Sequence, residues 1–372
     1  MKKEVKKLLN TVKEIRHSRS SQRLDKGRLQ VFKNKTALAR KLTRQEVIEI
    51  LAYYDQFGID VRKHLASFEW YYSQTGKRDP RFIPEWVYGR YILPYFNEKK
   101  VLPAYLDKNY LSALFPTIRQ PKIVLRKMNG YFLDEGYHYL KRSELVDRFR
   151  AGQQYIVKEA LSGKGGGRGV SFSKDVANLV GWLETIDYQF EDNYVIQEVL
   201  EQSEEFSKFN VSSLNTCRVT SLLLPNGEVK ILNAFVRFGK NGNLVDNMSS
   251  GGFGVAVDLA TGITGDFAVD VYGIRYQKAD LPVNDFSNRS IPILRKVLSM
   301  IESSHRELPY IRVIGWDFAV DKNGDPILIE YNGNFPGLIV QKTGIPFFGD
   351  LTDQILAACT GTELPSASNN NG

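Results

Sequence analysis

IRVIGWDFAVDKNGDPILIEYNGN, residues 311–334, places two apolar runs on either side of Asn323-Gly324. Asn-Gly between such runs is the strongest short-range sign of a two-residue hairpin turn. With those two residues as the turn, Lys322 faces Asp325, Val320 faces Ile327 and Asp317 lies across from Glu330. Side chains alternate between faces along a strand. One face therefore carries Ile314, Trp316, Phe318, Val320, Ile327, Ile329 and Tyr331, an apolar set fit for a core. The other carries Val313, Gly315, Asp317, Ala319, Leu328, Glu330 and Asn332.

Like charges directly opposed across two strands repel, so a positive group belongs between Asp317 and Glu330. Two carboxylates and the Asn332 amide oxygen, with no His or Cys nearby, form a hard oxygen set suited to Mg²⁺ or Mn²⁺ holding phosphates. Gly315 and Ala319 leave space above that face. The plain alternative is an edge hairpin whose acids point into water.

The 372-residue chain is 42% hydrophobic and 12% aromatic, enough for a substantial core. It has no run of 18 apolar residues and no apolar leader at its start, which predicts a protein that does not span a membrane. Its two cysteines, Cys217 and Cys359, are too few for a disulfide framework and suit a reducing compartment. The expected location is cytoplasmic. The four histidines lack zinc-ligand spacing.

The net charge of +8 is unevenly placed. Residues 1–44 hold 15 Lys and Arg against 3 Asp and Glu, a balance of +12; the other 35 against 39 leave −4. Val5, Leu8, Leu9, Val12 and Ile15 recur at helical spacing among lysines and arginines. Such a basic amphipathic helix either packs its stripe on the body or lies on an anionic membrane surface, here the inner face, or on an acidic partner. Nucleic acid is disfavoured, because no aromatics interleave the basic residues.

Thr43 and Glu46 form a capping-box start for a helix to about Gln56. The aromatics from Phe68 to Phe96 read as packing, or in part as a pocket for a sugar or acceptor. From Pro121 the chain turns to short strands, with a hairpin at Asn129-Gly130, followed by a helix expected over Ser143–Ala151.

YIVKEALSGKGGGRGVSFS, residues 155–173, then runs a strand bearing Lys158 into a loop with Gly163, Lys164, Gly165, Gly166, Gly167, Arg168 and Gly169. Glycines let backbone N–H groups approach phosphate oxygens closely, and the two cations add charge. A flexible connector can share that composition. Gly-Lys-Ser/Thr is absent, so this is no Walker A loop. A protein kinase places its lysine after the glycine loop, not before.

NYVIQEVL, residues 193–200, reads as a strand ending in Gln197-Glu198-Val199-Leu200. Asn226-Gly227 marks another hairpin, with Leu224 facing Val229 and Arg218 facing Phe235, so that Arg237 lies diagonal to Arg218. Two adjacent guanidinium groups call for an anion between them, a phosphate or a carboxylate, unless both reach apart into water. A helix is expected over Ile291–His305 and another over Leu351–Cys359, with a Ser/Asn-rich tail beyond.

In this order the parts resemble the ATP-grasp superfamily. The runs DKNYLSALF, NTCRVTSLL and DNMSSGGFGVAVD resemble its sugar-transfer-associated branch, over roughly residues 105–345. The resemblance implies an α+β ATP-grasp fold whose two α+β subdomains sandwich ATP, preceded by a mainly helical N-terminal region. Its expected divisions are 1–104 helical and basic, 105–195 the small subdomain with the glycine loop, 196–360 the large subdomain with the metal site, and 361–372 a disordered tail. It further implies that Lys158 holds the α/β-phosphates and Lys108 is the earlier nucleotide lysine, with Arg126 a competitor. The hinge contacting adenine would be Gln197, Glu198, Val199 and Leu200, with Glu198 or Glu201 near the ribose. Arg218 and Arg237 would meet the transferring phosphoryl group, and Asp317, Glu330 and Asn332 would bind Mg²⁺. The helical front departs from relatives that begin with a small α/β domain.

The implied activity is an ATP-dependent ligation of a carboxylate to an amine through an acyl-phosphate, in cell-surface polysaccharide biosynthesis. The alternatives are a small-molecule kinase on the same fold and a non-catalytic nucleotide-binding module whose N-terminus meets membrane or a glycosyltransferase. No motif names either substrate or an oligomeric state.

Overall fold

The computed structural model describes residues 2–150, 152–161, 170–173, 183, 193–240, 242–282 and 284–363, and of 2–17 and 170–173 the backbone alone. The glycine-loop residues 163–169 and the tail from 364 lie outside the described residues. The chain forms two compact units. None of the described helices is long and apolar enough to cross a membrane.

The first unit holds residues 1–96, 269–275 and 337–372. Its helices are α1 (Lys2–Lys35), α2 (Arg44–Asp55) and α3 (Leu65–Thr75), with a further helix at Thr352–Thr360. Thus α1 continues well past the amphipathic stretch expected at its start. Within its second half Ser21, Asp25, Leu29 and Phe32 are buried at near-fourfold spacing, which gives that half one packed face. The expected capping box is present: Thr43 Oγ1 accepts from Glu46 N, and Glu46 Oε2 accepts from Thr43 N. The aromatic stretch is core. Phe68, Trp70, Tyr71, Tyr72, Phe82, Tyr88 and Phe96 are buried, and only Tyr95 among those singled out is markedly exposed.

The second unit holds residues 97–268 and 276–336. It contains β1 (Ile123–Met128), β2 (Tyr131–Leu133), β3 (Tyr139–Leu140), β4 (Tyr155–Glu159), β5 (Val170–Ser173) and β6 (Tyr194–Glu198), in the order β3-β2-β1-β6-β4-β5. A second sheet is built from β7 (Thr216–Leu223), β8 (Val229–Phe238), β9 (Phe253–Val257), β10 (Thr264–Val269), β11 (Arg275–Gln277), β12 (Val313–Val320) and β13 (Pro326–Asn332), in the order β11-β10-β9-β8-β7-β12-β13. Helix α4 (Leu294–Ser304) buries Leu294, Val297 and Ile301 in the core of this larger sheet, beside Ile314, Trp316 and Phe318. Over the described residues 143–150 of the expected Ser143–Ala151 helix no α-helix forms. Arg142–Glu144 and Val146–Arg148 are single 3₁₀ turns, because only Leu145 and Phe149 there reach the core.

The three Asn-Gly pairs read as hairpin turns do not make the same turn. Asn129 and Gly130 both have positive φ, 49° and 85°, and Met128 pairs with Tyr131, a two-residue turn as expected. At the other two pairs only glycine is left-handed, Gly227 at 81° and Gly324 at 83°. Leu224 N donates to Glu228 O, and Asp321 N to Asp325 O, so each loop has three residues, not two. The registers near the turns are therefore one residue off those expected: Leu223 faces Val229 and Val320 faces Pro326.

Each error is cancelled by a bulge further along. The register shifts by one between Thr220 and Ser221 on one hairpin and between Asp317 and Phe318 on the other. A bulge inserts one unpaired residue and restores the alternation beyond it. Beyond the bulges Arg218 faces Phe235 and Asp317 faces Glu330, as expected. Between bulge and turn the faces are exchanged, so that Leu328, and not Ile327, joins the core beside Phe318.

Candidate functional site

The site lies on the face of the larger sheet opposite its core. β12 pairs with both β13 and β7, which puts Glu330, Asp317, Arg218 and Phe235 in one row. The adjacent row is Asn332, Gly315, Thr220 and Asn233, and on the other side Thr216 faces Arg237. Directly paired residues project to the same side, so these charged side chains share one surface. Asn97 anchors the outer ends of β12 and β13. Its amide donates to Val313 O at 2.9 Å and Gly333 O at 2.6 Å and accepts from Val313 N at 2.9 Å.

The positive partner expected beside Asp317 is an arginine pair. Arg218 donates through Nε and Nη2 to the two Asp317 oxygens, the second contact at 2.6 Å. Arg237 Nη2 lies 3.1 Å from Asp317 Oδ1. Burial pushes the Asp317 carboxyl up, but Arg218 and Arg237 outweigh it and hold the group below the usual carboxylate range. The anion expected between the two arginines is thus an internal one. A second is Asp246, 3.4 Å from Arg237, which accepts from the Thr216 hydroxyl. Burial raises the Asp246 carboxyl, against the pull of Arg237.

Lys158 sits on β4, paired with Val195 and Val170, and is buried. Burial lowers its ammonium to about 8, with Glu330 and Asp317 pulling it up and Lys108 pushing it down. These charges therefore lie within electrostatic reach of one another. Lys108 donates through Nζ to Glu159 O at 3.1 Å. Its competitor Arg126 is fully buried, donates to Ser112 Oγ at 2.6 Å and to Asn109 O, and stacks over Tyr137 at 4.2 Å. Of the two, Lys108 is the one whose charge acts on Lys158.

Gln197 and Glu198 end β6. Glu198 N donates to Lys122 O and Val199 N to Gln154 O, so these two amides already serve the sheet edge. The carboxylates of Glu198 and Glu201 each hold a lysine, Lys122 at 2.6 Å and Lys322 at 2.9 Å. Leu200 is half-buried after the strand. The expected contacts of Gly163, Lys164, Gly165, Gly166, Gly167, Arg168 and Gly169 fall outside the described residues.

Asp317, Glu330 and Asn332 offer hard oxygen donors on one face. Among the described residues no cluster of three or more His, Cys, Asp or Glu side chains gathers for a metal. Two carboxylates and an amide suit Mg²⁺, which keeps waters and substrate phosphate oxygens in its shell instead of a full protein cage.

Residues 171–345 match the family model described as sugar-transfer associated ATP-grasp. Over this region, a little under half of the chain, the sequence is similar to that family, and the architecture is mixed α+β with a mainly helical N-terminal region. Among solved structures, it is similar to biotin carboxylase from Campylobacter jejuni in its β,γ-ATP complex, at 15% identity and TM-score 0.42 over 70% of this chain and 47% of that one. The biotin carboxylase domain of the 2-oxoglutarate carboxylase from Hydrogenobacter thermophilus, bound to MgADP, is 15% identical with TM-score 0.45, over 73% and 48%. D-alanyl-alanine synthetase A from Vibrio cholerae is 11% identical with TM-score 0.38, over 72% and 65%. The chain spans about half the length of the first two. Comparison with curated proteins returned no match.

Proposed function

We propose that the protein is an ATP-dependent carboxylate–amine ligase, joining an amine or amino acid to a sugar acid or another carboxylate in polysaccharide biosynthesis. The observation that carries this reading is the gathering of Lys158, Asp317, Glu330, Arg218 and Arg237 around one buried face. Cations and hard oxygen donors gathered in this way suit a triphosphate whose terminal group is being transferred.

In the proposed reaction a substrate carboxylate oxygen attacks the γ-phosphorus of ATP, the bond to the β-phosphate oxygen breaks, and ADP leaves. An amine then attacks the acyl carbon, phosphate departs, and the amine loses a proton. Lys108 and Lys158 would bind the nucleotide phosphates, and Gln197 to Glu201 would line the adenosine. Arg218 and Arg237 would orient the oxyanions at the reacting end. Asp317, Glu330 and Asn332 would hold Mg²⁺, which when bound neutralises phosphate charge. The small subdomain is proposed as residues 105–195 and the large one as 196–360.

The test is ADP release across a panel of amino acids combined with uronic acids and nucleotide sugars, with Asp317→Asn as the blank. Phosphate and ADP released together only when a carboxylate and an amine are both present support the ligase. A stable phosphorylated alcohol would assign the protein as a kinase instead.

A further inference from the structure

The two arginines of the site are held very differently. Arg237 is gripped from several sides: Nη2 and Nε lie 3.0 and 3.2 Å from Thr216 Oγ1, and Nη2 is 3.4 Å from Asp246 and 3.1 Å from Asp317. The Thr216 hydroxyl donates its own hydrogen bond to Asp246, so hydroxyl, carboxylate and guanidinium close a ring of contacts. Arg218 hydrogen-bonds to Asp317 through Nε and Nη2, and among the described residues Asp317 is its only ion-pair partner. The backbone beside it is bare, since a Cβ on Gly315 would stand 3.2 Å from Arg218 Nη1.

Asp317 fills the planar Nε/Nη2 fork of Arg218 as a substrate carboxylate or phosphoryl group would. Two N–H groups of Arg218 already bond to its two oxygens, and Arg237 Nη2 lies 3.1 Å from one of them. A divalent cation on that carboxylate competes for the same lone pairs and repels both guanidinium groups. Arg237 keeps Asp246 and Thr216 when this happens. Among the described residues Arg218 has no second carboxylate in ion-pair contact.

We infer that Asp246 and Thr216 are positioning residues that keep Arg237 fixed at the site, whereas Arg218 is released by Asp317 to an oxyanion of the substrate when a divalent cation takes that carboxylate. The inference rests on the proposed role of Asp317 as a cation ligand. Its consequence is reciprocal. Cation and oxyanion bind with positive coupling, because each frees the partner that the other needs.

The experiment measures Mn²⁺ binding to the full chain by electron paramagnetic resonance, with and without sulfate as the oxyanion, at constant ionic strength and corrected for the Mn²⁺–sulfate complex. In the natural protein sulfate tightens Mn²⁺ at least threefold. In Arg218→Gln, Mn²⁺ binds more tightly without sulfate, and sulfate adds nothing. In Asp246→Asn, Arg237 loses its other carboxylate and competes harder for Asp317, so Mn²⁺ binds at least threefold more weakly while sulfate still tightens it. Thr216→Val gives the same direction should Asp246→Asn fail to fold by circular dichroism. Mn²⁺ affinity indifferent to sulfate, or a sulfate effect that survives in Arg218→Gln, overturns the release of Arg218. Natural Mn²⁺ affinity in both Asp246→Asn and Thr216→Val overturns the positioning role. Absence of Mn²⁺ binding overturns the inference and the cation assignment together, whereas the nucleotide reading is decided separately by ADP binding.

Discussion

Arg218 stands directly across from Asp317 on neighbouring strands, and its Nη2 donates to Asp317 Oδ2 at 2.6 Å. Both side chains are almost out of water, at 12% and 1% exposure. Removing one partner of a buried pair strands the other charge, at about 3–5 kcal/mol. Asp317→Asn is expected to lose about 3 kcal/mol in urea unfolding, and Asp317→Asn combined with Arg218→Gln to recover part of it. A double variant no better than the sum of the singles would show that the two side chains do not interact.

The hairpin loops give a backbone test. Gly324 and Gly227 alone carry the left-handed residue of their loops, whereas Asn323 and Asn226 do not. Gly324→Ala and Gly227→Ala are expected to cost about 1–2 kcal/mol, the penalty of that conformation for an L side chain, and Asn323→Ala to fall within about 0.5 kcal/mol. At the two-residue turn the order changes, because Asn129 itself is left-handed. Asn129→Ala is expected to cost about 1 kcal/mol. Equal losses at Asn129 and Asn323 in thermal unfolding would contradict the assignment of two turn types.

Gly252 closes the loop that delivers Asp246. A Cβ there would lie 2.5 Å from Asp246 O and 2.9 Å from Phe238 O, both backbone atoms with little room to give. Gly252→Ala is expected to destabilise by about 1–3 kcal/mol and to weaken Mn²⁺ binding as Asp246→Asn does. Stability and Mn²⁺ affinity both at natural values would show that the loop does not fix Asp246.

His305 supplies a pH dependence remote from the charged face. Its Nε2–H donates to Ile311 O at 2.9 Å, and its Nδ1 accepts from Ser221, whose oxygen accepts from Trp316 Nε1. Burial lowers the imidazole to about 4, opposed by the Ile311 contact. The unfolded chain therefore binds the proton first, and stability falls as pH drops from about 6.5 to 4, by roughly 3 kcal/mol in all. His305→Asn should flatten that part of the urea-unfolding profile. An unchanged slope would mean that another group carries it.

How far the sequence could be read depends on how local each determinant is. The rows that bring Asp317 to Glu330 and Arg218 to Phe235 were legible from alternation and an Asn-Gly turn, yet through two compensating departures, a three-residue loop and a bulge. Neither Leu232 nor Ile329 carries a glycine or proline sign of a bulge, so nothing local marked it. Asp246 was not recognised as a partner of Arg237, because an irregular loop brings it back over nine residues, whereas Thr216 follows from the register itself, which sets it across from Arg237 just as it sets Arg218 across from Phe235. The one usable sign was Gly251-Gly252, which lets that loop turn back. The helix expected over Ser143–Ala151 fails for the opposite reason: its local pattern is helical, but its contact with the core is confined to Leu145 and Phe149.

The most direct measurement is a crystal structure of the protein soaked with ADP and Mn²⁺, with the cation located by its anomalous scattering. The expected result is an anomalous peak between Asp317 and Glu330, within coordination distance of both and of the β-phosphate, with Lys158 on the phosphates. An ordered ADP lying away from Lys158, or Mn²⁺ absent from that pair while Asp317 stays clasped by Arg218, would contradict it.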